Sequence, residues 1–260
     1  MKVRDIIIEV PTESSSNSLH EVVNIPTNQP GVLEAEQGTA YAQDISREFR
    51  KLGYSKIGSG ADSTIWAKDA SYAIKILMPE DEGSQAVEVF KKFYEFCQKR
   101  PDIPCLPVFN EYNTIDVLDK EFIQIDMERL YPIKKNTLDE GVVWFFSDFV
   151  LRQTPWNKVN HALGLDTTWK HYKEGAAGKL ANAWQNLLLA GNEQKYTSYK
   201  ILYNVMNVLF NTGRINKFGW DLHTENVMRR TNNQLVIIDP WFADAPLLTE
   251  VQRDESENTE

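Results

Sequence analysis

Asp221 and Asn226 bracket the segment Asp221-Leu222-His223-Thr224-Glu225-Asn226. An Asp and an Asn so spaced, on a loop between a long helix and a strand, can face one substrate from two sides. The carboxylate orients or deprotonates a hydroxyl, and the carboxamide oxygen ligates a magnesium ion bridging phosphates. Downstream, Asp239 closes the apolar run Leu235–Ile238. A carboxylate at the exposed end of a buried strand is a natural metal ligand, although Asp before Pro also caps turns. Upstream, Lys75 sits in Tyr72-Ala73-Ile74-Lys75-Ile76-Leu77. An ammonium on an otherwise apolar strand must snorkel, pair or meet an anion. Before it comes Gly58-Ser59-Gly60-Ala61-Asp62-Ser63, whose glycines let backbone N–H groups approach phosphate oxygens. A strand rather than a helix follows, so a dinucleotide fingerprint or a Walker loop fits poorly. A carboxylate on the next helix would hold Lys75. Glu88 is the candidate and Glu95 its competitor, while Lys91, Lys92 and Lys99 offer either one a local partner. Singly, each piece has an ordinary reading as a hairpin turn, a solvated lysine or a turn cap. In this order they imply a nucleotide–magnesium phosphoryl-transfer site.

The elements that must position these residues are legible from periodicity. Residues 54–130 read as strands plus one helix. The run 56–77 is strand, glycine turn, strand, polar turn at Lys68–Ser71, then strand; two further strands are expected in 106–113 and 121–130. Ala86, Phe90, Phe93, Tyr94 and Cys97 recur at helical spacing before Pro101. Residues 139–153, 178–191 and 196–213 predict three more helices. Leu202, Val205, Met206 and Leu209 form one face of the last, and Gly213 stands where a C-terminal cap is expected. Two short strands around the turn Arg230–Asn233 complete the pattern. The expected layout is therefore an arm over residues 1–45, a small β-rich lobe over 46–130, a larger helical lobe over 131–245 and an acidic tail over 246–260.

The net charge is −9, from 28 Lys and Arg against 37 Asp and Glu. Its placement matters more than its size. Residues 11–40 hold Glu13, Glu21, Glu34 and Glu36 with no Lys or Arg, and residues 246–260 hold five acids against Arg253, which leaves the body, 41–245, at −1. No direct nucleic-acid binding is expected from that distribution. The tails carry Ser14, Ser15, Ser16, Ser18, Thr249, Ser256 and Thr259 as candidate self-modification sites. No apolar run approaches the ~20 residues of a membrane-spanning helix, and the opening MKVRDIIIEV lacks the pattern of a signal peptide. Cys97 and Cys105 make no metal motif and read as two buried thiols in a reducing cytoplasm.

With these motifs in hand, the chain resembles the protein-kinase-like superfamily. The glycine loop, Ala73-x-Lys75, the Asp-x-His-x-x-Asn loop at Asp221–Asn226, and Asp239 match its ATP and magnesium motifs. Within it the chain is most similar to the early serine/threonine protein kinases of short-tailed, T-odd lytic bacteriophages. They share a Gly-x-Gly-x-x-Ser loop (Gly58, Gly60, Ser63), an Ile-Lys strand (Ile74-Lys75), an Arg-Pro-x-Ile-Pro segment (Arg100–Pro104) and Asp-Pro at Asp239-Pro240. The resemblance implies an α+β, two-lobed kinase-like fold whose helical lobe is truncated after the magnesium-binding Asp. It implies Asp221 as catalytic base, Asn226 and Asp239 as magnesium ligands, and Lys75 as phosphate clamp steadied by Glu88. Gly58, Ser59, Gly60 and Ser63 would cover the ATP phosphates, and Met127, Glu128 and Leu130 would lie at the hinge that meets adenine. It further implies a host protein substrate, the transcription machinery among the targets, in the bacterial cytoplasm.

Three departures qualify the likeness. The loop reads Gly219-Trp220-Asp221, without the Arg that usually precedes the catalytic Asp, so switching through an Arg-bound phosphate is not expected. Ser63 stands for the third glycine. From Asp239 to Glu260 there is no Ala-Pro-Glu segment to dock a peptide. The long stretch between Leu130 and Asp221 is also typical of aminoglycoside and choline kinases, which makes a small-molecule kinase the alternative. Its acceptor pocket would come from residues 139–195, where Trp144, Trp156, Trp169 and Trp184 lie; such a tryptophan stripe is more often core. A further alternative is a catalytically silent kinase-like protein that inhibits a host enzyme by docking.

Overall fold

The computed structural model describes residues 45–59, 63–77, 85–117, 120–170 and 177–243. The expected arm up to residue 44, the tail with its candidate modification sites, and Gly60 lie outside them. Helix α1 (45–51) leads into an antiparallel sheet built from β1 (Ser55–Ser59), β2 (Ser63–Ala67), β3 (Tyr72–Leu77), β4 (Phe109–Val117) and β5 (Lys120–Glu128), in the order β1-β2-β3-β5-β4. Helix α2 (Gln85–Gln98) lies between β3 and β4 in the chain. The period of two on β3 divides the sheet into two faces. Ile74 and Ile76 join Ile45, Phe49, Tyr54, Trp66, Ile115 and Phe122 in one buried cluster. Ala73 and Leu77 point the other way, into the large core they share with Val89, Phe90 and Phe93 of α2. Lys75 falls on that second face.

Past β5 the chain turns through Arg129 and Leu130 into the short β6 (Tyr131–Pro132), then becomes helical: α3 (Leu138–Leu151), α4 (Trp156–Leu163), α5 (Ala177–Leu189) and α6 (Glu193–Ile215). Thr137 caps the start of α3: its hydroxyl accepts the Glu140 N–H at 3.4 Å, and the Glu140 carboxylate accepts the N–H of the preceding Asn136 at 2.5 Å. Tyr199 of α6 donates to Asp139 of α3 at 2.5 Å. Leu202, Met206 and Leu209 of α6 are fully buried on the expected face. The chain closes with β7 (Gly219–Trp220), β8 (Val227–Arg229), β9 (Leu235–Ile237) and β10 (Trp241–Phe242), paired as β6-β8-β9 and β7-β10.

The α+β class, with a β-rich part followed by a helical part, is as the sequence implies. Three particulars differ. Helix α4 had no recognised signal. Gly213 does not end α6, which runs on to Ile215 and is capped by Asn216. The glycine is instead a contact point: a Cβ there would lie 2.7 Å from Trp241 Nε1. Arg230, read in the sequence as the start of a polar turn, is tied by its side chain into the junction described below. Of the tryptophans, Trp169 and Trp184 are fully buried and Trp144 is exposed, so the stripe is core rather than a cage. Cys97 and Cys105 are buried free thiols. Among the described residues no helix is long and apolar enough to cross a membrane.

Candidate active site

A cavity of about 230 Å³ opens where the sheet meets the helical part. Ile57, Gly58 and Ile65 roof it, and Ala73, Lys75 and Phe90 form its inner wall. Met127, Glu128, Arg129 and Leu130 form the side along the strand-to-helix junction, and Met228 and Ile238 form the floor. The space is smaller than the ~300 Å³ lower range for drug-sized ligands. It suits the flat ring of a nucleobase, with anything attached left to run out past Lys75. A Cβ on Gly58 would make only ordinary contact with Ile65, at 3.5 Å. What the glycine provides is close approach from the cavity side.

Lys75 closes the inner end. Its side chain is 8% exposed and its Nζ donates to Asp239 Oδ2 at 3.1 Å. Asp239 is 35% exposed and lies two residues past the end of β9. Two backbone bonds pin it against the Asp221–Asn226 loop: Ile238 N–H donates to Asn226 O and Asp221 N–H donates to Pro240 O, both at 2.9 Å. Inside that loop Asn226 Nδ2 donates to the Asp221 backbone oxygen at 2.6 Å and to Asp221 Oδ2 at 3.2 Å. The amide oxygen of Asn226 is thereby turned away from Asp221. The Asp221 side chain remains 46% exposed, with His223 Nε2 at 3.8 Å from Oδ1. His223 Nδ1 accepts the Glu225 N–H at 3.3 Å, so the imidazole proton of the neutral ring lies on Nε2. From α3, the Ser147 hydroxyl donates to Leu222 O at 2.6 Å and accepts the Trp220 indole N–H at 3.3 Å. These bonds hold the loop from behind.

The fold therefore brings Lys75, Asp221, Asn226 and Asp239 together from three distant parts of the chain, with Gly58, Met127, Glu128 and Leu130 around the adjoining cavity. Ser59 and Ser63 end and begin the strands flanking the glycine turn. Glu88 is placed elsewhere. Its side chain is 59% exposed and pairs with Lys92 at 3.5 Å, the local helical partner available in the sequence. The residue of α2 that meets Lys75 is Phe90, and two residues amount to about 200° around a helix. Glu88 thus points away from the ammonium.

Sequence reading also missed the role of Glu128 and Arg230. The Arg230 guanidinium grips the Glu128 carboxylate through Nε at 2.7 Å and a terminal nitrogen at 2.6 Å. It also donates to the carbonyls of Pro104 at 2.5 Å and Leu106 at 2.9 Å, and to Gln234 at 2.6 Å. The Glu128 carboxylate accepts the Val108 N–H as well, at 2.9 Å. Nothing about Arg229-Arg230 in sequence separates a buried clamp from a solvated pair. Ala73, Met228 and Ile238 carried a fainter signal, since each is an apolar neighbour of a motif residue.

The oxygens of Asp239 and Asn226 form a hard donor set suited to magnesium, which binds through one or two carboxylates plus substrate phosphates rather than an all-protein cage. No group of three or more His, Cys, Asp or Glu that could hold a metal ion occurs among the described residues.

No protein-family model and no curated protein matches the chain. Among solved structures it is similar to the GDP complex of a point mutant of aminoglycoside 2′-phosphotransferase-IIIa, at TM-score 0.29 and 10% identity over 77% of this chain and 70% of that one. It is also similar to the GDP and kanamycin complex of APH(2″)-IIIa, at TM-score 0.29 and 11% identity over 80% and 74%. Neither likeness identifies a substrate or an activity for this chain.

Proposed function

We propose that the chain is an ATP- and magnesium-dependent phosphotransferase with a hydroxyl acceptor, acting as a serine/threonine protein kinase on proteins of a bacterial host. The observation that carries this reading is the meeting of Lys75 and Asp239 at 3.1 Å across 164 residues of sequence, at the inner end of a base-sized cavity and beside the Asp221–Asn226 loop. The adenine ring occupies the cavity against Ala73 and Met228, with the backbone of Glu128–Leu130 along its edge. Lys75 binds the phosphates at the end of the cavity that it lines together with Gly58. Asp239 and the amide oxygen of Asn226 hold magnesium, which neutralises charge on the phosphates when bound.

Asp221 aligns the acceptor hydroxyl and takes its proton. The acceptor oxygen bonds to the γ-phosphorus while the bond from that phosphorus to the β–γ bridging oxygen breaks. The bridging electrons leave with ADP, and the proton passes from Asp221 to solvent. Asn226 Nδ2, bonded to Asp221 Oδ2, leaves Oδ1 to face the acceptor. The work is mainly positioning and charge neutralisation. The host transcription machinery is the target class that the bacteriophage resemblance suggests, in the host cytoplasm.

A small-molecule acceptor is the second reading, favoured by the long helical stretch α3–α5 between the junction and the loop. One experiment separates them. Wild type and Asp221→Asn are incubated with labelled ATP–Mg²⁺ and either host lysate or a panel of aminoglycosides and choline. The proposal expects labelled proteins with wild type and none with Asp221→Asn, at unchanged thermal stability. Turnover of a small amine-alcohol with no labelled protein transfers the reading to the second acceptor class. Full activity of Asp221→Asn refutes the mechanism.

A further inference from the structure

Lys75 is buried, and a buried ammonium needs compensation. Among the described residues its ion-pair partner is Asp239, the carboxylate that the phosphotransferase reading assigns to magnesium. Once Asp239 serves a metal, something else must keep Lys75 in place. Helix α2 offers no carboxylate there, because Glu88 is turned to solvent and paired with Lys92. Glu95 lies near the same Lys92, at 3.8 Å. What α2 does offer is the face of Phe90, whose ring centroid lies 4.0 Å from Lys75 Nζ. Phe90 is 3% exposed and is fixed edge-on by Phe93 at 6.1 Å and Phe109 at 5.9 Å. Phe90 and Lys75 line the same cavity.

We infer that Phe90 is a positioning residue that seats Lys75 toward the phosphates in place of a helix carboxylate; this rests on the phosphotransferase reading and deepens it. The negative face of the ring attracts the cation, and most strongly where water is excluded. A neutral seat has a chemical consequence. A carboxylate partner would share the ammonium with the nucleotide, whereas the ring holds it and leaves its whole charge to the phosphate oxygens. Asp239 and Phe90 then act in succession: the carboxylate balances Lys75 before nucleotide binds, and the ring retains it after Asp239 turns to its other task.

Fluorinated phenylalanines test this, because added fluorine drains the ring face while keeping its shape and apolar character. With one, two and three fluorines at position 90, ATP–Mg²⁺ affinity should fall stepwise, by roughly tenfold over the series. The same series at Phe93, which packs in the same core, should be flat, and Glu88→Gln should bind as wild type does. A flat series at position 90 in a protein that binds ATP overturns this inference alone. A wild type that binds no nucleotide overturns the phosphotransferase reading with it. If the fluorinated chains fail to fold, the ε-methylene protons of Lys75 in wild type, assigned with Lys75→Arg, supply the second measurement. A ring current from Phe90 moves them upfield, and Phe90→Leu restores them. An ordinary shift in wild type refutes the contact.

Discussion

Arg230→Met tests how the site is held in register, and its cost can be worked from the contacts. Five hydrogen bonds leave this guanidinium, two of them to Glu128. The two side chains are 17% and 19% exposed, so water reaches the pair only in part. Breaking a buried pair by removing one partner costs about 3–5 kcal/mol, largely because the other charge is stranded. The remaining exposure relieves some of that, and methionine recovers some apolar contact, so a loss of about 2–4 kcal/mol is expected. For a chain of this length that is a fall in Tm of roughly 5–15 °C. The effect should also be asymmetric. Glu128→Gln in the Arg230→Met background removes the stranded charge and should return at least about 1 kcal/mol, giving non-additivity in a double-mutant cycle. Urea denaturation of the four proteins measures this directly. Because Glu128 carries the wall of the cavity, nucleotide affinity should weaken in Arg230→Met as well. A single mutant within about 0.5 kcal/mol of wild type, the range of ordinary surface substitutions, would refute the reasoning. Strict additivity would do the same.

Two other outcomes follow from packing and burial. Gly213→Ala should destabilise by about 1–3 kcal/mol through overpacking, since its Cβ would meet the Trp241 indole at 2.7 and 2.9 Å; an unchanged Tm with unchanged tryptophan fluorescence would contradict that contact. Burial pushes the Cys105 thiol from 9.0 up to about 12 and raises Cys97 in the same direction. Between pH 9 and 12 the unfolded chain loses these protons before the folded one does, so the folded state binds more protons and stability falls as pH rises. Denaturation midpoints across that window should drop, less so in Cys97→Ala/Cys105→Ala, and iodoacetamide should label neither thiol in the native protein at pH 8.

Much of the architecture was readable because it depends on local periodicity. Alternation along Tyr72–Leu77 sets Lys75 on one face with Ala73 and Leu77, and the apolar steps in α6 predict which residues it buries. The order of the glycine turn, Lys75, the Asp221–Asn226 loop and Asp239 likewise anticipates which residues the chain brings together. What escaped depends on how elements rotate and dock. Spacing shows that α2 has an apolar face, but its rotation against β3 decides whether Glu88 or Phe90 meets Lys75. Arg230 reads the same in sequence whether water or Glu128 surrounds it. Gly213 looked like a cap because glycine ends many helices, and only the indole of Trp241 gives it another task.

Trp241 bears on how the site would respond to synthetic ligands. It lies two residues past Asp239, donates its indole N–H to Leu209 O at 3.0 Å, and is walled in by Phe93 at 5.8 Å, Phe96 at 6.0 Å and Phe218 at 5.7 Å. Swinging Asp239 outward would drag this ring out of a socket formed by two helices. Compounds that gain affinity by wedging the segment around Asp239 open would have to empty that socket, forfeiting on the order of 3–5 kcal/mol for an aromatic of this size. Flat, base-mimicking molecules confined to the cavity between Ala73 and Met228 face no such penalty. Binding to this cavity should therefore favour compact molecules over long ones.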